Sequence, residues 1–135
     1  MINIAIVGSS ESHWTPDQKL KAMVAIKKIL LYYNINEIIL ISGGCPKGGV
    51  DIYVETIVDS LRINKKIYKP EVNQWNDYVS QGIHKKGYMS RNIQIASACD
   101  ILYCIDPKGR HDGGGIWTLN YAKKLNKEVH HVVIS

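Results

Sequence analysis

Short apolar runs alternate with amphipathic stretches along the whole chain. Asn3 to Val7 has strand length and stops at Gly8, where a polar loop from Ser9 to Trp14 begins. Leu20, Met23, Ile26, Leu30 and Tyr33 then recur at helical spacing. Thr15-Pro16-Asp17-Gln18 makes a good start for that helix: Thr15 can cap it, Pro16 suits the first helical position, and Gln18 can complete a capping box. Glu37 to Ser42 reads as a second strand that runs into Gly43-Gly44. A second helix opens near Gly49-Val50-Asp51, with Val54, Ile57, Val58 and Leu61 as its inward stripe. Lys66 to Lys69 predicts a short third strand closed by Pro70. Glu71 to Lys86 has weak periodicity and reads as a long loop with room for a helical turn. Loops of this length inside a compact domain are often functional. The remainder predicts a helix from Met89 to Ala98, a fourth strand from Ile101 to Ile105, a helix from Gly115 to Asn126 and a last strand from Glu128 to Ile134. Leu119, Ala122 and Leu125 mark the inward face of that last helix.

Strict alternation of strand and helix implies parallel strands joined by right-handed crossovers. The expectation is therefore an α/β fold: a three-layer Rossmann-like domain over residues 1–135, with a five-stranded parallel sheet in the order 3-2-1-4-5. That order leaves a crevice between the first and fourth strands, outside their carboxyl ends, where such sheets bind ligands. The apolar fraction of 45% is enough for a packed core. No apolar run approaches the roughly 20 residues of a membrane helix. The chain enters a strand at once, without the basic start of a secretory signal, so the expected location is the cytoplasm. Three cysteines, Cys45, Cys99 and Cys104, show no CxxC spacing, which argues against a disulfide framework or a zinc site. No cluster along the sequence has metal-ligand spacing. A net charge of +5 suits an anionic ligand.

Glycine loops follow the first, second and fourth strands: Gly8-Ser9-Ser10, Gly43-Gly44 through Gly48-Gly49, and Gly109 with Gly113-Gly114-Gly115. All three should meet at the ligand edge. Glycine lets backbone N–H groups approach an anion, and each following helix adds partial positive charge. A phosphate-bearing ligand is the expectation. Neither GxGxxG nor GxxxxGK[ST] occurs, which excludes a full dinucleotide or a P-loop triphosphate, and no cofactor is expected.

Arg91 lies in the first turn of a helix, where a cation opposes the macrodipole unless it grips an anion. Thr118 with Gly114 and Gly115 would hold the phosphate at the last helix, and Ser9 and Ser10 would add donors. Asp51 can bind ribose hydroxyls, act as a general base or cap its helix; Glu55, a turn further on, reads as solvated. Asp112 in the last glycine loop is the other candidate catalytic carboxylate. Trp75 can stack on a base or serve in the core or at a dimer contact. His111 can act as an acid or touch phosphate, whereas His130 and His131 read as structural.

Segment Ile41 to Asp51 resembles the "SGGxxGxD" segment of the YspA-like branch of the SLOG superfamily. Trp75, Gly87 and the pair Arg91-Asn92 resemble its downstream pattern, Ala98-Cys99-Asp100 its "aD" segment, and Gly113 to Thr118 its glycine–threonine phosphate loop. Gly8-Ser9-Ser10 is similar to its first-loop "GSR", with Ser10 in place of arginine. The superfamily includes LOG-type phosphoribohydrolases, which cleave the N-glycosidic bond of nucleoside 5′-monophosphates, the DNA-processing DprA proteins and nucleotide sensors. The resemblance implies a nucleotide or ribose phosphate ligand held by Gly43, Gly44, Arg91, Asn92, Gly113, Gly114, Gly115 and Thr118. It implies a homodimer formed through helices beside the site. One departure bears on catalysis. The glutamate of "PGGxGTxxE" would fall on Tyr121, and that of the similar deoxyribosyltransferase loop on Thr118. Hydrolysis or transfer at an N-glycosidic bond would need another carboxylate. Two alternatives therefore stay open, a non-catalytic nucleotide sensor and a DprA-like nucleic-acid-binding module.

Overall fold

A computed structural model describes residues Met1–Ser135. Seven strands and four helices follow one another as β1 (Ile2–Gly8), α1 (Pro16–Tyr32), β2 (Ile38–Ser42), α2 (Val50–Leu61), β3 (Asn64–Ile67), β4 (Tyr78–Ser80), β5 (Ile83–Lys85), α3 (Tyr88–Ala98), β6 (Ile101–Pro107), α4 (Gly114–Lys124) and β7 (Glu128–Ile134). A single 3-10 turn, Glu11–His13, sits between β1 and α1.

Five strands form one parallel sheet in the order β3-β2-β1-β6-β7. This is the anticipated 3-2-1-4-5 order, with β6 and β7 as its fourth and fifth members. Strand alternation divides the core into two layers. Ile4 and Ile6 of β1 pack with Ile26 and Leu30 of α1 and Val54 and Val58 of α2. Ala5 and Val7 pack on the opposite face with Ile95 and Ala96 of α3 and Leu119 and Ala122 of α4. Both faces of β1 are therefore buried, as a central parallel strand requires. No helix is long and apolar enough to cross a membrane.

Local chemistry explains the start of α1. Thr15 accepts from the Gln18 N–H, and Gln18 reaches back to the Thr15 backbone, closing the capping box behind Pro16.

The structure differs from the sequence reading in several places. The stretch read as a loop from Glu71 to Lys86 contains an antiparallel hairpin, β4–β5, turned through Gln81 (φ 50°) and Gly82 (φ 76°). Two consecutive positive φ angles suit the tight turn of a two-residue hairpin. The third strand ends at Ile67 rather than Lys69. On α1 the inward residues are Ala22, Ile26 and Leu30, while Leu20 is 65% exposed. Leu125 lies beyond the end of α4, on its C-cap, and is exposed rather than inward.

Candidate functional site

The helices α2, α3 and α4 start at the carboxyl edge of the sheet, and their first turns surround a cleft of about 270 Å³ between β1 and β6. Gly8, Ser9 and Ser10 form one wall, Asp51 and Cys45 a second, Arg91 and Asn92 a third, and Gly113, Gly114, Gly115 and Thr118 a fourth. Trp75 lines the rim and meets Trp117 edge-on at 5.1 Å. Gly43 and Gly44 support the cleft from behind instead of lining it. Gly44 borders a separate depression with Pro46 and Lys69.

The walls are held together by contacts that leave no room for side chains. A Cβ on Gly115 would lie 2.9 Å from the Gly8 Cα, so α4 abuts the end of β1 directly. A Cβ on Gly43 would lie 2.5 Å from Arg91 Nη1 and 3.1 Å from Asp51 Oδ2, because these two charged groups occupy that space.

Arg91 is buried, and two of its three guanidinium nitrogens donate within the protein. Nη1 donates to the Gly43 carbonyl at 2.5 Å, and Nε donates to Asn92 Oδ1 at 2.8 Å. Its guanidinium also lies over the Tyr88 ring, 5.5 Å from the centroid. Arg91 thus braces the second glycine loop against α3. The cleft contains a second guanidinium that sequence reasoning missed. Arg110 folds over Gly113, pairs with Asp112 at 3.0 Å and has a buried Nε with no partner. Asp112 itself is 86% exposed at the rim. His111 is exposed and does not line the cleft.

At the start of α4 the N–H groups of Gly114, Gly115 and Ile116 have no acceptor within the chain. The Thr118 hydroxyl donates to the Gly114 carbonyl at 2.7 Å, a bond inside its own helix. The Ser9 hydroxyl donates to Asp106 Oδ1 at 2.6 Å, and its carbonyl accepts from the Val50 N–H and Trp14 Nε1. Ser9 Oγ therefore presents lone pairs to the cleft rather than a proton.

Asp51 is buried and accepts from the Cys45 N–H at 2.9 Å. Burial pushes its carboxyl from the ordinary 3.8 up to about 6, against the pull of the Arg91 charge and the Cys45 hydrogen bond. Glu55, one turn along α2, is half-buried rather than solvated, and its Oε2 has no hydrogen-bond partner.

Asp106 was also missed. It is buried at the end of β6, lines the cleft, and accepts from Ser9, from His131 Nε2 at 2.8 Å and from the Cys104 thiol at 3.2 Å. Its position just after the apolar run Ile101–Ile105, at the switch point, is the same signal that singled out Gly8 and Ser9.

No protein-family model matches the sequence, and no curated protein does. Solved structures do. The molybdenum cofactor carrier protein of Chlamydomonas reinhardtii superposes with a TM-score of 0.67 and 16% identity, covering 97% of this chain and 76% of that one. DNA processing protein A (DprA) of Streptococcus pneumoniae gives a TM-score of 0.67 at 14% identity, over 97% of this chain and 50% of that one. A further structure of the Chlamydomonas carrier gives 0.58 at 16% identity. The chain shares the Rossmann-like α/β fold of these structures. At these identities the likeness shows the fold alone, and the chain spans half the length of DprA.

Proposed function

We propose that the cleft binds a nucleotide or a nucleotide-derived phosphate, with the phosphate against α4 and the sugar toward Asp51. The observation that carries this reading is the set of three unpaired N–H groups at Gly114, Gly115 and Ile116 beside Arg110. Backbone donors at a helix start and a guanidinium favour a dianion from two directions. Ser9 Oγ and Asp51 accept hydrogen bonds, so they complement ribose hydroxyls. Gly113 to Thr118, Arg91-Asn92 and the Gly43–Asp51 segment keep the order of the YspA-like pattern, which supports placing the protein in that branch.

The chemistry such a site supports is hydrolysis or transfer at the N-glycosidic bond of a nucleoside 5′-phosphate. An acid titrating near 6 can give a proton to a departing base, which is the part Asp51 would take; Asp112 is open to water at the rim. A non-catalytic sensor is the second reading. It is favoured by the absence of a carboxylate at Thr118 or Tyr121, the places where the related enzymes carry one.

A thermal-shift series against ribose 5-phosphate, nucleoside mono-, di- and triphosphates and the matching nucleosides tests the binding. A ligand at 100 times its Kd stabilises by about 2.7 kcal/mol. Phosphorylated ligands should raise the midpoint and plain nucleosides should not, and Arg110→Ala should remove most of the shift. Equal shifts with and without phosphate, or none, would overturn the reading. Base release from the best ligand, lost in Asp51→Asn, then separates enzyme from sensor. DNA binding that weakens steeply with salt would instead point to the DprA-like alternative.

A further inference from the structure

The sheet brings together three ligating side chains that the sequence keeps apart. Cys104 and His131 are register partners on the neighbouring parallel strands β6 and β7. Asp106, two residues beyond Cys104, points to the same face of the sheet. The Cys104 Sγ, one Asp106 carboxylate oxygen and a His131 ring nitrogen all lie within 4.8 Å of one another. Two of the separations are short, 3.2 Å from Sγ to Oδ2 and 2.8 Å from Nε2 to Oδ2. We propose that Cys104, Asp106 and His131 form a binding site for a zinc-class divalent transition-metal ion. The proposal stands apart from the phosphate reading of the cleft.

Geometry, charge and softness agree on this class. Tetrahedral bonds of about 2.0–2.3 Å to O, N and S put neighbouring ligand atoms about 3.3–3.6 Å apart. The two short separations need to open by only a few tenths of an ångström, roughly, to reach that range. His131 supplies the give, since it sits on the edge strand with 35% of its side chain exposed. Cys104 and Asp106 are buried, so a divalent ion would meet one thiolate and one carboxylate whose charges balance it. Thiolate with imidazole selects zinc, cobalt or copper over magnesium and calcium. On binding, the Cys104 S–H bond breaks, its proton leaves to solvent and the sulfur–metal bond forms. His131 ligates as the neutral ring through Nε2, with its proton on Nδ1, and no redox change occurs. Three protein ligands leave a coordination position free, and Asp106 already lines the cleft.

Cobalt(II) reports the thiolate directly. The full chain, stripped with a chelator, would be titrated with Co2+ and followed by absorption. The expected result is saturation at one equivalent with a sulfur-to-cobalt charge-transfer band, bleached by added Zn2+. Cys45→Ser should keep the band and Cys104→Ala should abolish it. Because Cys104 is buried and its variant can fail to fold, His131→Gln provides the second test. It should leave the circular dichroism unchanged while weakening Co2+ binding by about tenfold or more. No one-equivalent band, a band lost in Cys45→Ser, or binding unchanged in His131→Gln would each overturn the proposal.

Discussion

Burying the Asp51 carboxyl makes a quantitative demand on the pH dependence of stability. Asp51 sits in the first turn of α2, shielded from water, with Cys45 N–H as its hydrogen-bond donor and Arg91 as its compensating charge. Its pKa stands at about 6 in the folded protein against 3.8 for the ordinary carboxyl. Folding therefore favours the protonated form. Between these two values the native state holds more of the proton than the unfolded chain, so stability falls as pH rises through the window. Below about 4 the carboxyl is neutral in both states and imposes no penalty. Above about 6 the native state carries a buried, imperfectly compensated anion. The gap corresponds to about 3 kcal/mol, at about 1.4 kcal/mol per pH unit. Asp51→Asn preserves the shape and an acceptor for Cys45 but cannot ionise. Urea unfolding of both proteins from pH 4 to pH 8 isolates the effect, because every other titrating group cancels in the difference. Wild type should match the variant near pH 4 and fall behind it by up to about 3 kcal/mol above pH 7. A difference that stays flat would refute the burial argument. One that grows in favour of wild type as pH rises would show that the Arg91 attraction outweighs desolvation.

Substituting Gly115→Ala forces a methyl to within 2.9 Å of the Gly8 Cα. It should cost about 1–3 kcal/mol in chemical unfolding and erase the phosphate-dependent thermal shift. Thr15→Ala removes the capping box of α1 and should cost about 1 kcal/mol without altering ligand response. Gly82→Ala meets no atom within 4 Å, so its cost is the left-handed backbone alone, roughly 1–2 kcal/mol. Hydrogen exchange should quicken across Tyr78–Lys85 while global stability holds. The expected homodimer has apolar surface available on α1, where Leu20, Val24 and Leu31 share an outward face at helical spacing. Sedimentation should show a dimer that Val24→Glu dissociates.

The sheet order was legible because strand and helix alternate from end to end, and each main element has its own periodicity or punctuation. Pro16 and Thr15 dictated one helix start, and the triple glycine at 113–115 another. The hairpin was not legible, because Tyr78–Ser80 and Ile83–Lys85 are each only three residues long. No alternation can establish itself in so few positions, and Gln81-Gly82 is a weak turn signal beside Asn-Gly. Leu20 misled for a different reason. It falls near the edge of the helical stripe, and the small Ala22 rather than a large residue is buried on the inward face of α1.

The same contrast runs through the site. Residues near a loop glycine could be found, because a glycine after a strand at the switch point announces the edge on which they gather. Most of the residues so chosen line one cleft, with Gly43, Gly44 and His111 outside its lining. What those residues do there was less legible, since donors are allocated by tertiary contacts. Arg91 faces the Gly43 carbonyl, and the Thr118 hydroxyl faces its own helix. The α4 backbone and Arg110 Nε are among the donors left without a partner. Cys104, Asp106 and His131 lay further out of reach. Their convergence depends on the register of β6 against β7, in which Cys104 faces His131 from 27 positions away. A one-residue slip of that pairing would send His131 to the opposite face, away from Asp106. Metal binding at one equivalent would therefore also report on the strand register that creates the site.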